Sequence, residues 1–295
     1  MKRVCVIGSI NMDIVYKVEK FVKPGETVEA LQCEEHFGGK GGNQAVACAR
    51  LGAAVSMVGC VGEDEYGSRY LQNLKDNYVN CFVASVPGLP TGRAFIEISK
   101  EGENRIVICH GANGAVDVDY VKRHEQDILE HDIFLLQQEI PQETNDYLLA
   151  LLRRKEKTVI LDPAPARPVK PESLAAVSYL TPNETELCAL GGMKEMTVNV
   201  KKLCEIGVEH VICKAGGDGA YSGSGGALVH FPAQEVETVQ DTTGAGDTFN
   251  GALACAIAMG KSVADAIRFA NRAAGLSIQA AGAQTGMPWA AEWKE

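Results

Sequence analysis

The sequence predicts an α/β fold: a mostly parallel sheet covered by helices on both faces, a three-layer α/β/α core, with a small β-sheet lid. Three observations carry this. Apolar runs of strand length alternate with amphipathic segments of helix length, the pattern of a sheet buried on both sides. Two segments, about 12–38 and 91–109, break the alternation and read as hairpins. The 295 residues, 46% hydrophobic and 22% charged, suffice for a large core without a disulfide or metal staple.

The elements follow in order. Val4-Cys5-Val6-Ile7, closed by Gly8, reads as a buried strand. Residues 43–51 read as a helix stopped by Gly52, 54–61 as a strand and 65–77 as a helix. After residue 115 the alternation resumes, with a helix ahead of Ile128, a strand at 133–136, a helix at 142–155 and a strand at 159–161. Strands at 177–180 and 210–214 and a helix at 252–259 complete the reading. In the first interruption Ile14-Val15-Tyr16 precedes the turn Lys23-Pro24-Gly25-Glu26. In the second, residues 94–98 and 105–108 flank a turn at Gly102. Two such hairpins can form a lid over the carboxyl ends of the main strands, where open α/β sheets bind ligands. With no internal repeat, low-complexity tract or linker, residues 1–295 read as one domain.

The 28 basic and 38 acidic residues leave a net charge of −10, which argues against nucleic acid as a partner. No apolar run approaches the roughly 20 residues of a membrane span, and none near the start resembles a signal peptide. The ten cysteines include no C-x-x-C pair and mostly sit in apolar stretches. They read as reduced thiols, with the cytoplasm as the expected compartment.

The most informative motif is Asp241-Thr242-Thr243-Gly244-Ala245-Gly246-Asp247-Thr248. Glycines before a helix leave backbone amides free to hold an anion. An aspartate there suits a site that also needs a base, as phosphoryl transfer does; alone it would read as a helix cap. Gly38-Gly39-Lys40-Gly41-Gly42-Asn43 lets backbone approach a small ligand, with Lys40 and Asn43 as donors, although Asn43 also reads as a cap. Asn11 and Asp13 follow the first strand and pair a donor with an acceptor suited to vicinal hydroxyls; a plain turn is the other reading. In Asn183-Glu184-Thr185-Glu186, Glu186 reads as a capping residue or as an oxygen ligand organising magnesium. The glycine turn at Lys214-Ala215-Gly216-Gly217-Asp218-Gly219 fits a hairpin or a nucleotide passing close to backbone.

Together with Gly8-Ser9-Ile10, Pro24-Gly25-Glu26-Thr27, Gly111-Ala112-Asn113 and Pro163-Ala164-Pro165-Ala166, these motifs make nearly the whole chain resemble the ribokinase-like carbohydrate kinase family. The resemblance implies ATP as phosphoryl donor, magnesium, potassium, a small-molecule sugar as acceptor and a homodimer through the lid. It implies sugar contacts from Asn11, Asp13, Gly39, Lys40, Gly41, Gly42, Asn43 and Glu139, with Asp247 as base and Gly244, Ala245 and Gly246 as the anion hole. Asn183, residues 214–219, Gly246 and Asn271 would line the ATP site, and Glu186 would support magnesium through water. A monovalent cation would sit among Asp241, Thr243, Ser277, Ala280, Gly282 and Gly286.

Arg93 and Cys109-His110 depart from the family's usual local pattern where the lid would meet the sugar. Arg93 pointing inward would favour a carboxylated sugar such as 2-keto-3-deoxygluconate; pointing outward it leaves ribose as the expected substrate. The rivals are 2-deoxyribose, a ketose, a nucleoside, or a non-catalytic sugar or nucleotide sensor on the same fold.

Overall fold

A nine-stranded sheet runs through the centre of the computed structural model, which describes residues 1–225 and 227–292. Residue 226 and residues 293–295, part of the expected domain, lie outside the described residues. In chain order the strands are β1 (Val4–Ile7), β2 (Asn11–Val18), β3 (Gln32–Gly38), β4 (Val55–Gly62), β5 (Asn80–Val86), β6 (Gly92–Ser99), β7 (Asn104–Cys109), β8 (Ile133–Gln137), β9 (Thr158–Asp162), β10 (Tyr179–Leu180), β11 (His210–Lys214), β12 (Ala220–Gly223) and β13 (Val229–Phe231). The helices are α1 (Lys40–Arg50), α2 (Glu65–Asp76), α3 (Val118–Arg123), α4 (Glu125–Leu129), α5 (Gln142–Arg154), α6 (Pro171–Leu174), α7 (Glu184–Gly191), α8 (Met196–Ile206), α9 (Ala245–Ala258) and α10 (Val263–Ser277).

The large sheet has the order β13-β12-β11-β10-β9-β8-β1-β4-β5. It is parallel from β11 through β5 and antiparallel only at the β11–β12–β13 edge. Side chains alternate across β1: Val4 and Val6 face the core under α1, α9 and α10, while Cys5 and Ile7 face the core under α5 and α8. All four are fully buried, which explains the unbroken apolar run. All ten cysteines are free thiols, and no helix among the described residues is long and apolar enough to cross a membrane.

The second sheet has the order β3-β2-β6-β7. It joins two antiparallel hairpins through a parallel β2–β6 contact, with Asn11 opposite Gly92 and Asp13 opposite Ala94. Its outer strand β7 is exposed along its length, with Ile106, Val107 and Ile108 at 53%, 67% and 41% exposure.

Two helices begin earlier than their periodicity predicts. α1 starts at Lys40 rather than Asn43, after Gly39 turns the chain at φ 83°. Gly41 and Gly42 sit inside it although glycine is a poor helix former. A Cβ on Gly41 would meet the Gly8–Ser9 backbone at 2.7 Å, and one on Gly42 the Tyr70 hydroxyl at 2.0 Å. α9 takes in the glycine motif itself, from Ala245. Strands β5, β12 and β13 and helices α6, α8 and α10 add to the predicted set, while α7 opens at Asn183-Glu184 as the capping reading of Glu186 requires.

Candidate active site

The carboxyl ends of β1, β8, β9 and β11 and the first turns of α1 and α9 converge beneath the small sheet. Asp247 lies in the first turn of α9, where the opening amides have no partner earlier in the helix. Gly244 at its N-cap has φ 76°, and a Cβ there would meet the Ala283 carbonyl at 2.7 Å. The Asp247 carboxylate is nearly buried and accepts hydrogen bonds from Asn43 Nδ2 at 2.9 Å and Gln44 Nε2 at 3.0 Å. Burial pushes its pKa up and Asp162 adds to this, while Lys40 and the two amides oppose. The result is a carboxylate that holds a proton more readily than a surface aspartate, as a general base requires.

The predicted sugar residues come together around it. Asn11 is buried, and its Oδ1 accepts from Asn113 Nδ2 at 2.7 Å. Asn113 also holds the Ile10 backbone on both its donor and acceptor sides. Asp13 is buried, and its pKa is raised to about 7 by burial first, then by Glu139 and Asp247. A Cβ on Gly38 would fall 2.2 Å from the Asp13 carboxylate, so only glycine fits there. Glu139, after β8, accepts from Ser9 Oγ and from the Lys40 amide at 3.2 Å. The Lys40 ammonium loses hydration, but Asp247, Asp162, Glu139 and Glu186 outweigh that loss and hold it firmly protonated.

On the other side of Gly246 lies a cavity of about 330 Å³ lined by Lys214, Gly216, Gly217, Gly219, Gly246 and Asn271 among others. Its remaining walls are largely apolar, including Val236, Val239, Phe249 and Ile278, a lining that suits a planar ring. Asn271 is a wall-building residue: its Nδ2 donates to the Phe231 and Pro232 carbonyls, both at 2.9 Å. Ala215, Asp218 and Asn183 do not line this cavity. Ala215 and Asp218 belong to the turn that shapes it, and Asn183 is bridged to Lys214.

Asn183 and Glu186 form a reciprocal cap on α7, with Asn183 N donating to Glu186 Oε2 and Glu186 N to Asn183 Oδ1, each at 2.8 Å. The capping reading of Glu186 is therefore real. Its carboxyl is also pushed up, by burial and then by Asp162. The Glu186 oxygen that is not in the cap suits a hard cation reached through water. Among the described residues no cluster of three or more His, Cys, Asp or Glu side chains could hold a metal ion, so phosphate or water oxygens would complete such a shell.

The segments predicted for a monovalent cation are also adjacent. Asp241 accepts from Thr243 N at 2.8 Å, from Thr243 Oγ1 at 2.6 Å and from Gly282 N at 2.9 Å. Burial pushes its pKa up, but these hydrogen bonds outweigh burial and hold it below the ordinary value. The carboxylate thus straps the 241–243 turn to the 282 loop, and a Cβ on Gly286 would collide with the Ser277 carbonyl at 2.0 Å. Among the described residues no hydrogen bond places Ala280 in this arrangement.

Arg93 pairs in register with Met12 and therefore lies on the opposite face of the small sheet from Asp13. Its guanidinium sits 3.4 Å from Asp64 Oδ2 and 5.0 Å over the Tyr66 ring. The outward orientation holds, with an ion pair and a ring in place of open solvent. His110 is exposed at the end of β7. Gln44, Asp162, Gln137 and Gln284 were not among the sequence candidates, yet all are buried in the same hydrogen-bond network. Gln44 stands next to Asn43 in the glycine motif, which was the one available signal.

The model of the pfkB family carbohydrate kinases matches residues 1–290. The chain is 44% identical to the ribokinase of Bacillus subtilis over 296 residues, covering 100% of this chain and 99% of that protein. Among solved structures, the ribokinase of Thermotoga maritima is 39% identical with a TM-score of 0.91, covering 99% of this chain and 98% of that one. The Arabidopsis thaliana ribokinase complexed with ribose and ATP is 35% identical, also with a TM-score of 0.91, covering 99% and 97%.

Proposed function

The chain belongs to the pfkB family of carbohydrate kinases, and from that premise we propose that it transfers the γ-phosphoryl group of ATP to the primary hydroxyl of ribose, giving ribose 5-phosphate. The observation that carries this is the seating of Asp247 between the polar cluster of Asn11, Asp13, Asn43 and Glu139 and the cavity lined by Lys214 and Gly246. Ribose binds in the cluster, where buried donors and acceptors match its hydroxyls. Its primary hydroxyl gives its proton to Asp247 as its oxygen attacks the γ-phosphorus in line, and ADP leaves. The opening amides of α9, at Ala245 and Gly246, and the Lys40 ammonium stabilise charge on the transferring group. The adenosine part occupies the largely apolar cavity.

Glu186, working with water, is the residue assigned to magnesium, which when bound neutralises phosphate charge. Asp241, Thr243, Ser277, Ala280, Gly282 and Gly286 are assigned to potassium, whose effect would pass through the 241–244 turn that opens α9. The exposed apolar strand β7 supports a homodimer through the lid. Ten free thiols support the cytoplasm as its compartment.

The Arg93–Asp64 pair favours a neutral sugar, since the cation is already partnered away from Asp13. Product formation from ATP over ribose, 2-deoxyribose, fructose, a nucleoside and 2-keto-3-deoxygluconate tests the reading. Ribose should give the highest kcat/KM, little changed in Arg93→Ala. A preference for the acid sugar that collapses in Arg93→Ala overturns the ribose assignment, and no turnover of ATP with any of them returns the protein to the sensor reading.

A further inference from the structure

Gln44 has no donor left for a substrate. Its two amide protons go to two different carboxylates, Asp162 Oδ2 at 2.9 Å and Asp247 Oδ1 at 3.0 Å, and its Oε1 accepts from Gln137 Nε2 at 2.8 Å. Gln137 thereby fixes the orientation, because a flipped amide would aim its oxygen at both carboxylates. The side chain is fully buried, and the backbone carbonyl of Gln44 lies against Gly251 of α9, where a Cβ would sit 2.7 Å away. Asp162, at the end of β9 and almost fully buried, accepts on its other oxygen from Lys214 Nζ at 2.9 Å. Lys214 in turn lines the nucleotide cavity, and its amine lies 3.6 Å from where a Cβ on Gly246 would be. An unbroken chain of hydrogen bonds therefore runs from the nucleotide's lysine through Asp162 and Gln44 to Asp247.

We propose that Gln44 and Asp162 are positioning residues that couple nucleotide binding to the base. This rests on Asp247 being that base. Gln44 keeps two buried carboxylates from separate elements at fixed spacing, and Lys214 answers the charge of Asp162. When a triphosphate enters the cavity, Lys214 gains a second anionic partner and neutralises Asp162 less. The uncovered charge of Asp162 then strengthens Asp247 as a proton acceptor at the moment the acceptor phosphate is present. The other charged groups around Asp247 are Lys40 on α1, Asp13 on β2 and Glu139 after β8, with Glu186 of α7 facing Asp162. None of them is hydrogen-bonded to the nucleotide's lysine, so the Asp162–Gln44 path is the direct one.

The test uses Gln44→Met, Asp162→Asn and the double variant. Gln44→Met keeps volume and removes both donors. Asp162→Asn keeps shape, but its amide either faces the Gln44 donor or gives up Lys214. Each single variant should lower kcat about 10–100-fold, the usual range for a lost charge-assisted hydrogen bond. Sugar affinity measured by calorimetry without nucleotide should stay within about threefold. The acid limb of kcat should move to higher pH in Gln44→Met, which loses a donor that holds Asp247 ionised. The double variant should be no slower than Gln44→Met, because Asp162 acts on the base through Gln44.

Multiplicative losses in the double variant, an unmoved acid limb, or sugar binding lost in step with kcat overturn the relay. Should Gln44→Met not fold, Asp162→Asn decides alone, and turnover within about threefold of native overturns the proposal. Failure of the base reading looks different: there Asp247→Asn stays active. An inactive Asp247→Asn beside unaffected Gln44→Met and Asp162→Asn overturns the relay only.

Discussion

Asp13 carries the plainest pH signature of any residue in the site. Burial, with Glu139 and Asp247 nearby, raises its pKa from 3.8 to about 7. An acid raised in the folded state binds its proton more tightly folded than unfolded. Its contribution to stability is therefore complete below 3.8 and is lost as pH rises through about 7. In the sugar-free enzyme that loss is on the order of a few kcal/mol. Urea midpoints measured between about pH 5 and 8 should fall with pH in the native protein and flatten in Asp13→Asn; parallel curves for the two would contradict the assignment. Asp13 was legible in the sequence because it follows a strand that had to be central. Gln44 and Asp162 were not, since each acts through partners more than 50 positions away in the chain. Arg93 shows the same limit: the sequence posed the choice of face, and only the β2–β6 register and the nearby Asp64 resolve it.

The contact between α1 and α9 sets the geometry of the base, because Asn43 and Gln44 stand on one helix and Asp247 on the other. Gly251 makes the close approach possible. A Cβ there would meet Ala47 Cβ and the Gln44 carbonyl at 2.7 Å each, and Cys48 N at 2.9 Å. Gly251→Ala should force the helices apart, destabilise the fold by about 1–3 kcal/mol and lower kcat at least about tenfold through misplacement of Asp247. A variant with native melting temperature and native kcat would show that this contact does not hold the base.

Elements buried on both faces were readable at this scale: β1, β4, β8, β9 and β11 declare themselves as apolar runs. The edge strand β5 was missed because its half-exposed residues, Asn80 to Val86, are mixed and follow α2 with no glycine or proline signal. The start of α1 was misplaced because Gly41 and Gly42 disguise a helix, and the reason they fit is tertiary: the Gly8–Ser9 backbone and the Tyr70 hydroxyl occupy the space a side chain would need.

Across the molecule, the large sheet delivers Glu139, Asp162 and Lys214 from its strand ends, the small sheet delivers Asn11 and Asp13, and α9 places Asp247 where both groups meet. The net charge of −10 does not by itself exclude an anionic nucleotide, because Lys214 and the opening residues of α9, Ala245 and Gly246, line the cavity. In the proposed reading the sugar cluster and the nucleotide cavity meet at Asp247, and that reading stands on this residue. Turnover of MgATP and ribose by native protein and Asp247→Asn, with ribose affinity measured in parallel, tests it most directly. Asp247→Asn should bind ribose nearly as the native protein does but lose at least about 10²-fold in kcat; turnover within a few-fold of native would show that Asp247 is not the base.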